Sequence, residues 1–419
     1  MNVIILSTGD ELVLGQNVDT NSGWLSAQLS AGGAMTVYHK TVGDDICAVS
    51  KSIRDAVSVA DLVILTGGLG PTKDDITREA LAAVLDVPLE LHKPSVQQIR
   101  NFFKKIGRPC PISNDAQAMC PRGATMLENN WGTAPGIAAR IGQARFFAFP
   151  GVPHEMRRMF QKYIFPLLAK GRGRTILTES LVVFGAGESF VASRLGSFML
   201  RSRNPLVGTT VSEGIITVRI RSDFASAAEA AVKLKSTVRA VERRLGKLVI
   251  GRSHTSLQQV VGELLSKFRK TTVTAESCTG GLVGKMLTEP PGSSDWYRGG
   301  WIVYSNQLKE TALGVPARLI ARHGAVSEPV VRAMAEGALS RSGADYALAV
   351  TGVAGPGGGS SRKPVGTVWL AVAEATRGGI EVTSQLSKFS GERETIRGYA
   401  AKTLLNMLRL SLLSRRKPV

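Results

Sequence analysis

Short apolar runs alternate with segments of helical spacing through the first third of the chain. Val3–Leu6 reads as a buried strand, and Thr20–Leu29 carries helical spacing after a polar loop. Ala34–Thr41 alternates like a second strand and Ile46–Val59 is helical. Asp61–Leu65 is a third apolar strand and Ile76–Leu85 a third helix. This β-α-β-α-β-α order predicts a parallel sheet with helices on both faces. In such sheets ligands bind outside the carboxyl ends of the strands.

A helix over Glu155–Lys170 leads into Gly171–Arg174, which is short, basic and glycine-bearing like a linker. Next come a strand (Thr175–Phe184), a helix to about Met199, a strand pair (Val207–Val211, Ile215–Arg221) and a helix (Ala225–Leu245). From about His254 the α/β alternation resumes. It runs through helix Ser256–Lys267, strand Thr271–Thr274, a helix from Thr279 and a strand at Gly300–Tyr304. Helices near Ala317–Ala321 and Pro329–Leu339 follow, with strands at Tyr346–Val350, Gly366–Val372 and Glu381–Phe389 and a last helix Glu392–Leu413. The fold class is therefore α/β, with two αβα layered domains (1–170 and 254–419) joined by a small α+β domain (171–253).

A length of 419 residues suits roughly two to four domains. The formal charge of +19 is spread over short clusters such as Arg157-Arg158 and Arg243-Arg244. No RNA-binding aromatic signature or long basic tract accompanies it, so a solvated surface is favoured over nucleic-acid binding. Four cysteines lie far apart with no C-x-x-C spacing, as suits a reducing cytoplasm. The N-terminus lacks a basic n-region and turns polar at once, and no apolar run is long enough to span a bilayer. The expected localisation is cytoplasmic, with no membrane partner.

Acidic residues gather where the first three strands end. Strand one leads into Asp10-Glu11, strand two into Asp44-Asp45, and strand three into Gly67-Gly68-Leu69-Gly70-Pro71-Thr72-Lys73-Asp74-Asp75. Like charges on one sheet edge repel unless a divalent cation sits among them, and hard cations prefer carboxylate oxygens. Asp10, Glu11, Asp44, Asp45 and Asp75 are the candidate ligands. Gly67, Gly68 and Gly70 allow close approach of backbone to phosphate, with Thr72, Lys73 and Asp74 beside them. Helix capping explains Asp45 and part of Asp74-Asp75, but does not account well for all three loops together.

In the C-terminal third, Thr271–Leu287 feeds a β-branched strand into a helix through Ser277-Cys278-Thr279-Gly280-Gly281. That arrangement places a hydroxyl or thiol opposite free helix N–H groups, where developing negative charge is stabilised. A Ser/Thr-rich helix cap accounts for the same string without chemistry.

Two sets of motifs resemble the competence/damage-inducible CinA family. S-T-G-D-E-L-V-L-G-Q-N-V-D-T-N, G-G-L-G-P-T-K-D-D, Gln117–Thr125, Asn130–Gly136 and Pro150–Met156 resemble its molybdopterin-biosynthesis-type domain. The resemblance implies metal-dependent ADP-ribose pyrophosphatase activity there, with Mg or Co as the ion. The family's basic residue before the Gln-Ala pair is Ala116 here, a departure expected to weaken phosphate binding. The middle segment is KH-like by the same resemblance, yet it has no G-x-x-G loop of the kind that clamps RNA.

A-E-S-C-T-G-G, Tyr304–Lys309, His323–Val330, T-G-V-A-G-P-G-G-G and Lys363–Trp369 occur in order. They resemble nicotinamide mononucleotide (NMN) deamidase, the C-terminal domain of that family, which releases ammonia from the NMN carboxamide without a cofactor. The resemblance implies a Ser277 nucleophile, a Lys309 base and Tyr304 lining the site. A desolvated lysine can serve as base beside a serine, whereas His323 sits in a turn and Cys278 reads as a small buried thiol. Thr279, Gly280, Gly281, Asn306, Thr351, Gly352, Gly355, Arg393 and Arg397 form the expected substrate-binding set. The expected partners are small nucleotides (NMN, and ADP-ribose for the N-terminal half) and a second copy in a homodimer. Two other readings stand beside this one: a DNA-associated competence factor, and a molybdopterin-binding module without hydrolytic activity.

Overall fold

The computed structural model describes residues 1–170, 175–253 and 255–414; the linker expected at Gly171–Arg174 lies outside the described residues. The chain forms two compact units, Met1–Leu177 with Ser222–Lys233, and Thr178–Arg221 with Leu234–Val419. No helix among the described residues is long and apolar enough to cross a membrane.

The first unit is built on a six-stranded sheet. Its strand order is Met35–Val42, Asn2–Thr8, Leu62–Thr66, Ala144–Phe149, Gly136–Ile141, Thr125–Leu127. The first four strands are parallel and the last two antiparallel. The expected all-parallel sheet is thus mixed. Only Gly142 and Gln143 join Gly136–Ile141 to Ala144–Phe149, and a link that short makes a hairpin, never a crossover. Alternation along the strands sends Ile4, Leu6, Val63 and Leu65 to one face against Val49, Ile53 and Leu81. Val3, Ile5, Leu62 and Ile64 meet Leu25, Leu29, Met156 and Phe160 on the other. Asp19 and Asp45 accept hydrogen bonds from the amides of Ser22 and Ala48, and so start the helices Thr20–Ala31 and Ile46–Val57.

The second unit contains a five-stranded sheet in the order Tyr297–Ile302, Thr272–Glu276, Tyr346–Gly352, Thr367–Thr376, Gly379–Lys388. Thr272–Glu276 has a parallel neighbour on each side, so its carboxyl end opens between two others. Helix Arg393–Ser414 lays Ile396, Ala400, Leu404, Leu408 and Leu412 on that sheet's core. The small KH-like sheet has the order Leu206–Ser212, Ile215–Phe224, Thr175–Val183, Val249–Arg252. Its Val182, Phe184 and Ile250 belong to the same core cluster as Leu257, Leu404 and Leu408. Arg409, almost fully buried, donates to the carbonyls of Lys247 at 2.6 Å and Val249 at 3.3 Å, which satisfies its guanidinium inside that packing.

Helix Glu328–Ser342 carries Gly337 where a Cβ would stand 2.0 Å from the Leu313 carbonyl oxygen. Glycine in a helix interior ordinarily gains about 1 kcal/mol when replaced by alanine. Here the clash is with backbone, so Gly337→Ala is expected to destabilise by roughly 1–3 kcal/mol. Calorimetric melting of the purified chain reads this out, and a raised Tm would show that this helix draws away from Leu313 without cost.

Candidate active site

Ser277 follows the last residue of the strand Thr272–Glu276, at the edge where parallel strands present their carboxyl ends. Its amide donates to the Val350 carbonyl at 3.0 Å and its carbonyl accepts from the Gly280 amide at 3.1 Å, which closes a tight turn. Gly280 and Gly281 occupy that turn with φ of 59° and 95°, conformations that favour glycine. The helix beyond starts only at Leu282, later than expected, and its leading amides do not face Ser277. They bind Glu276 instead. This buried carboxylate accepts from Gly281 and Val283 at 3.0 Å and from Gly284 at 2.8 Å. The helix mouth expected to stabilise an oxyanion is therefore filled by the chain's own carboxylate, for which burial demands such donors.

Lys309 reaches the same point from the helix Asn306–Leu313, whose N-cap is Ser305. Its Nζ lies 3.1 Å from Ser277 Oγ and 2.8 Å from the Val303 carbonyl, with the Tyr304 and Ser305 carbonyls at 3.3 and 3.4 Å. Lys309 is 1% exposed and Ser277 8%. Burial pulls the Lys309 amine below the usual lysine range, against a smaller opposing influence from Cys278. Cys278 is the reverse case. Burial, with Glu276 adding to it, pushes its thiol up to about 12, so it remains a packed, protonated side chain.

Arg393 donates to the Tyr304 hydroxyl at 2.9 Å and to the Gly355 carbonyl at 2.5 Å, which joins three expected residues in one linkage. Arg397 donates to the Thr279 carbonyl at 2.6 Å, and its Nε, like Thr279 Oγ1, is buried without a partner among the described residues. Thr351 is buried, with its hydroxyl on the Ala325 carbonyl, and Gly352 ends the strand beside Ser277. Asn306 opens its helix on the exposed surface, and among the described residues it makes no hydrogen bond to Ser277. His323 ends a helix, and its carbonyl accepts from Lys363 Nζ at 2.7 Å.

The first unit has its own cleft, of about 400 Å³, at the carboxyl edge of its parallel strands. Gly67, Gly68, Gly70, Asp74, Glu11, Asp44 and Asp75 line it as expected, while Thr72, Lys73, Asp10 and Asp45 do not. Asp75 is committed to the amides of Gly70 at 2.7 Å and Thr72 at 2.9 Å, and to the Thr72 hydroxyl. Asp45 caps a helix. Asp10 and Asp44 each accept from the other's amide at 3.0 Å. Burial raises the Asp44 pKa, with the Asp10, Glu11 and Asp74 charges adding to it. Among the described residues no three acidic, histidine or cysteine side chains stand together to hold a metal, so the expected five do not fit as a ligand shell.

Sequence reasoning did not single out Thr8, Gln117 or Glu155, which also line this cleft. Ala116, at the departure from the family pattern, is exposed beside the buried Gln117. The recoverable signal was in motifs already noted: a polar residue closing an apolar strand, and a glutamate two residues after a helix-starting proline.

A serine hydroxyl held against a buried lysine at a parallel-sheet edge defines a serine–lysine site on an α/β fold. The chain belongs to the CinA family. The family models "CinA C-terminal domain", "Probable molybdopterin binding domain" and "Damage-inducible protein CinA KH domain" match residues 254–412, 4–170 and 178–251. A CinA-like protein of Anaeromyxobacter sp. (strain Fw109-5) is 40% identical over 98% of this chain and 99% of its own length. A CinA-like protein of Geobacter sulfurreducens is 40% identical over 99% of this chain and 100% of its own length. The solved competence/damage inducible protein of Agrobacterium tumefaciens is 41% identical, with a TM-score of 0.36, over 38% of this chain and 93% of that one.

The Cys278 environment has a direct readout. At roughly pH 8 its alkylation in the folded chain is expected to be about a thousandfold slower than that of a free cysteine. Peptide mapping after iodoacetamide treatment measures this, and rapid labelling of Cys278 would contradict the burial described.

Proposed function

We propose that the C-terminal domain hydrolyses the carboxamide of NMN to nicotinic acid mononucleotide and ammonia. The observation that carries this reading is the 3.1 Å approach of Lys309 Nζ to Ser277 Oγ between two buried side chains. In its neutral form Lys309 takes the Ser277 proton as the oxygen attacks the carboxamide carbon. With the Gly280 and Gly281 amides already bonded, the amides of Cys278 and Thr279 are the donors left for the resulting oxyanion. The Lys309 ammonium then returns its proton to the departing nitrogen, which leaves as ammonia. Water, deprotonated by the same amine, attacks the acyl carbon, and the Ser277 oxygen leaves with the proton returned from Lys309, which frees the acid. Arg393 and Arg397 supply positive charge for the ligand's phosphate, with Tyr304 and the Thr351–Gly359 loop beside them.

A second reading concerns the first unit, as a pyrophosphatase acting on ADP-ribose. Thr8 Oγ1 is buried without a partner among the described residues, and a Cβ on Gly67 or Gly68 would stand 2.7 or 3.1 Å from it. An unpaired hydroxyl beside two bare glycines suits a phosphate oxygen. A divalent cation carried in on nucleotide phosphates needs only one or two carboxylates from a protein, which Glu11 and Asp44 can offer.

Two outcomes are expected for the amidase. Ser277→Ala is expected to lower ammonia release from NMN by at least roughly a thousandfold, whereas Cys278→Ala keeps it within severalfold. Retained turnover in the serine variant would move the nucleophile elsewhere. Because burial lowers the Lys309 pKa, the neutral amine forms at a lower pH than in a free lysine. Turnover should therefore rise with pH through a value below the usual lysine range, and fall as acid protonates Lys309. A pH–rate profile of kcat/KM checks this, and the absence of such a limb would contradict the role given to Lys309.

A further inference from the structure

We propose that Glu155 is the proton acceptor of the N-terminal cleft, acting on the water that attacks a phosphoanhydride. This rests on the pyrophosphatase reading above. Most of the carboxylates at this edge are tied to backbone amides, as Asp75, Asp45, Asp10 and Asp44 are. Glu155 differs. It is 8% exposed yet lines the same cleft as the glycine turn and Thr8, whose hydroxyl is unpaired among the described residues.

One of its oxygens is fixed from behind. Asn129, 1% exposed, donates from Nδ2 to Glu155 Oε2 at 2.6 Å and to the Ala134 carbonyl at 2.8 Å. Asn129 Oδ1 accepts from the Trp131 amide at 3.0 Å, so the asparagine cannot turn away. That leaves Oε1 for the cleft. Gly132 makes the position possible, because a Cβ there would stand 1.9 Å from Oε2. A half-dry carboxylate, oriented through one oxygen and free at the other, has the form of a general base.

The balance is simple. Water forms the new phosphorus–oxygen bond and gives its proton to Glu155. The anhydride phosphorus–oxygen bond breaks with its electron pair on the departing phosphate, and Glu155 later releases the proton to solvent.

The test uses the full chain, ADP-ribose with Mg²⁺ or Co²⁺, and AMP release. Glu155→Gln keeps the shape and the Asn129 hydrogen bond, and is expected to lower kcat at least roughly a hundredfold with KM within about threefold. Gly132→Ala, which displaces the carboxylate, should lower kcat in the same way while the calorimetric melting profile of the full chain keeps the wild-type transitions. Turnover by Glu155→Gln within threefold of wild type would overturn the assignment alone. So would recovery of the variant at higher metal concentration, which would make Glu155 a metal ligand instead. No AMP from the wild type would overturn the pyrophosphatase reading and this proposal together.

Discussion

A lysine nitrogen withdrawn from water is the constraint on which the C-terminal site depends. Lys309 Nζ has no bulk solvent around it and must find oxygen atoms within the fold. Three come from successive carbonyls, Val303, Tyr304 and Ser305, which turn inward at the end of the strand Tyr297–Ile302. The fourth is Ser277 Oγ. The same burial that requires these partners lowers the amine's pKa, so geometry and reactivity have one cause. A lysine on the surface at this spacing would keep its proton and could not take up the role proposed for Lys309.

Glu276 completes that arrangement from the other side. A carboxylate at the end of an apolar strand needs several donors, and it finds them in the first amides after the turn. In taking them it holds the Ser277–Gly281 turn in place but removes the helix dipole from the chemistry. The edge of the first sheet follows the same logic, with Asp10, Asp44, Asp45 and Asp75 bonded to loop amides. Both edges manage crowded acid groups mainly with backbone N–H groups. What takes no backbone N–H is then informative: Ser277 Oγ, which meets the Lys309 amine, at one edge, and at the other Thr8 Oγ1, unpaired among the described residues, and Glu155, held by Asn129.

Much of this was legible in the chain. Continuous apolar strands and capped helices gave the layers, because alternation on both faces of a buried strand follows directly from its period. The pairing of Ser277 with Lys309 was legible through motif and chemistry together. The antiparallel edge of the first sheet was not, since its strands are short and their direction is set by a two-residue turn. Nor was the position of the helix start after Ser277. Thr279 and Gly280 have every mark of a helix cap, but the competing acceptor is Glu276, whose side-chain direction no local pattern encodes. The core shared by the KH-like sheet and the last helix was equally hidden, because Val182, Phe184 and Ile250 read as an ordinary strand interior until partners are known.

The choice between the two adjacent nucleophiles shows how burial decides chemistry. A thiol is intrinsically the stronger nucleophile, yet its reactivity depends on ionising, and Cys278 is held near 12 by its apolar surroundings. A serine never ionises at neutral pH and does not need to, because its proton leaves only as the bond forms. In the mechanism proposed above, desolvation therefore disables the cysteine while it enables the serine, by making its neighbouring lysine a base. Burial of each side chain has the opposite consequence for its nucleophile, and moving either into water would undo its own part alone.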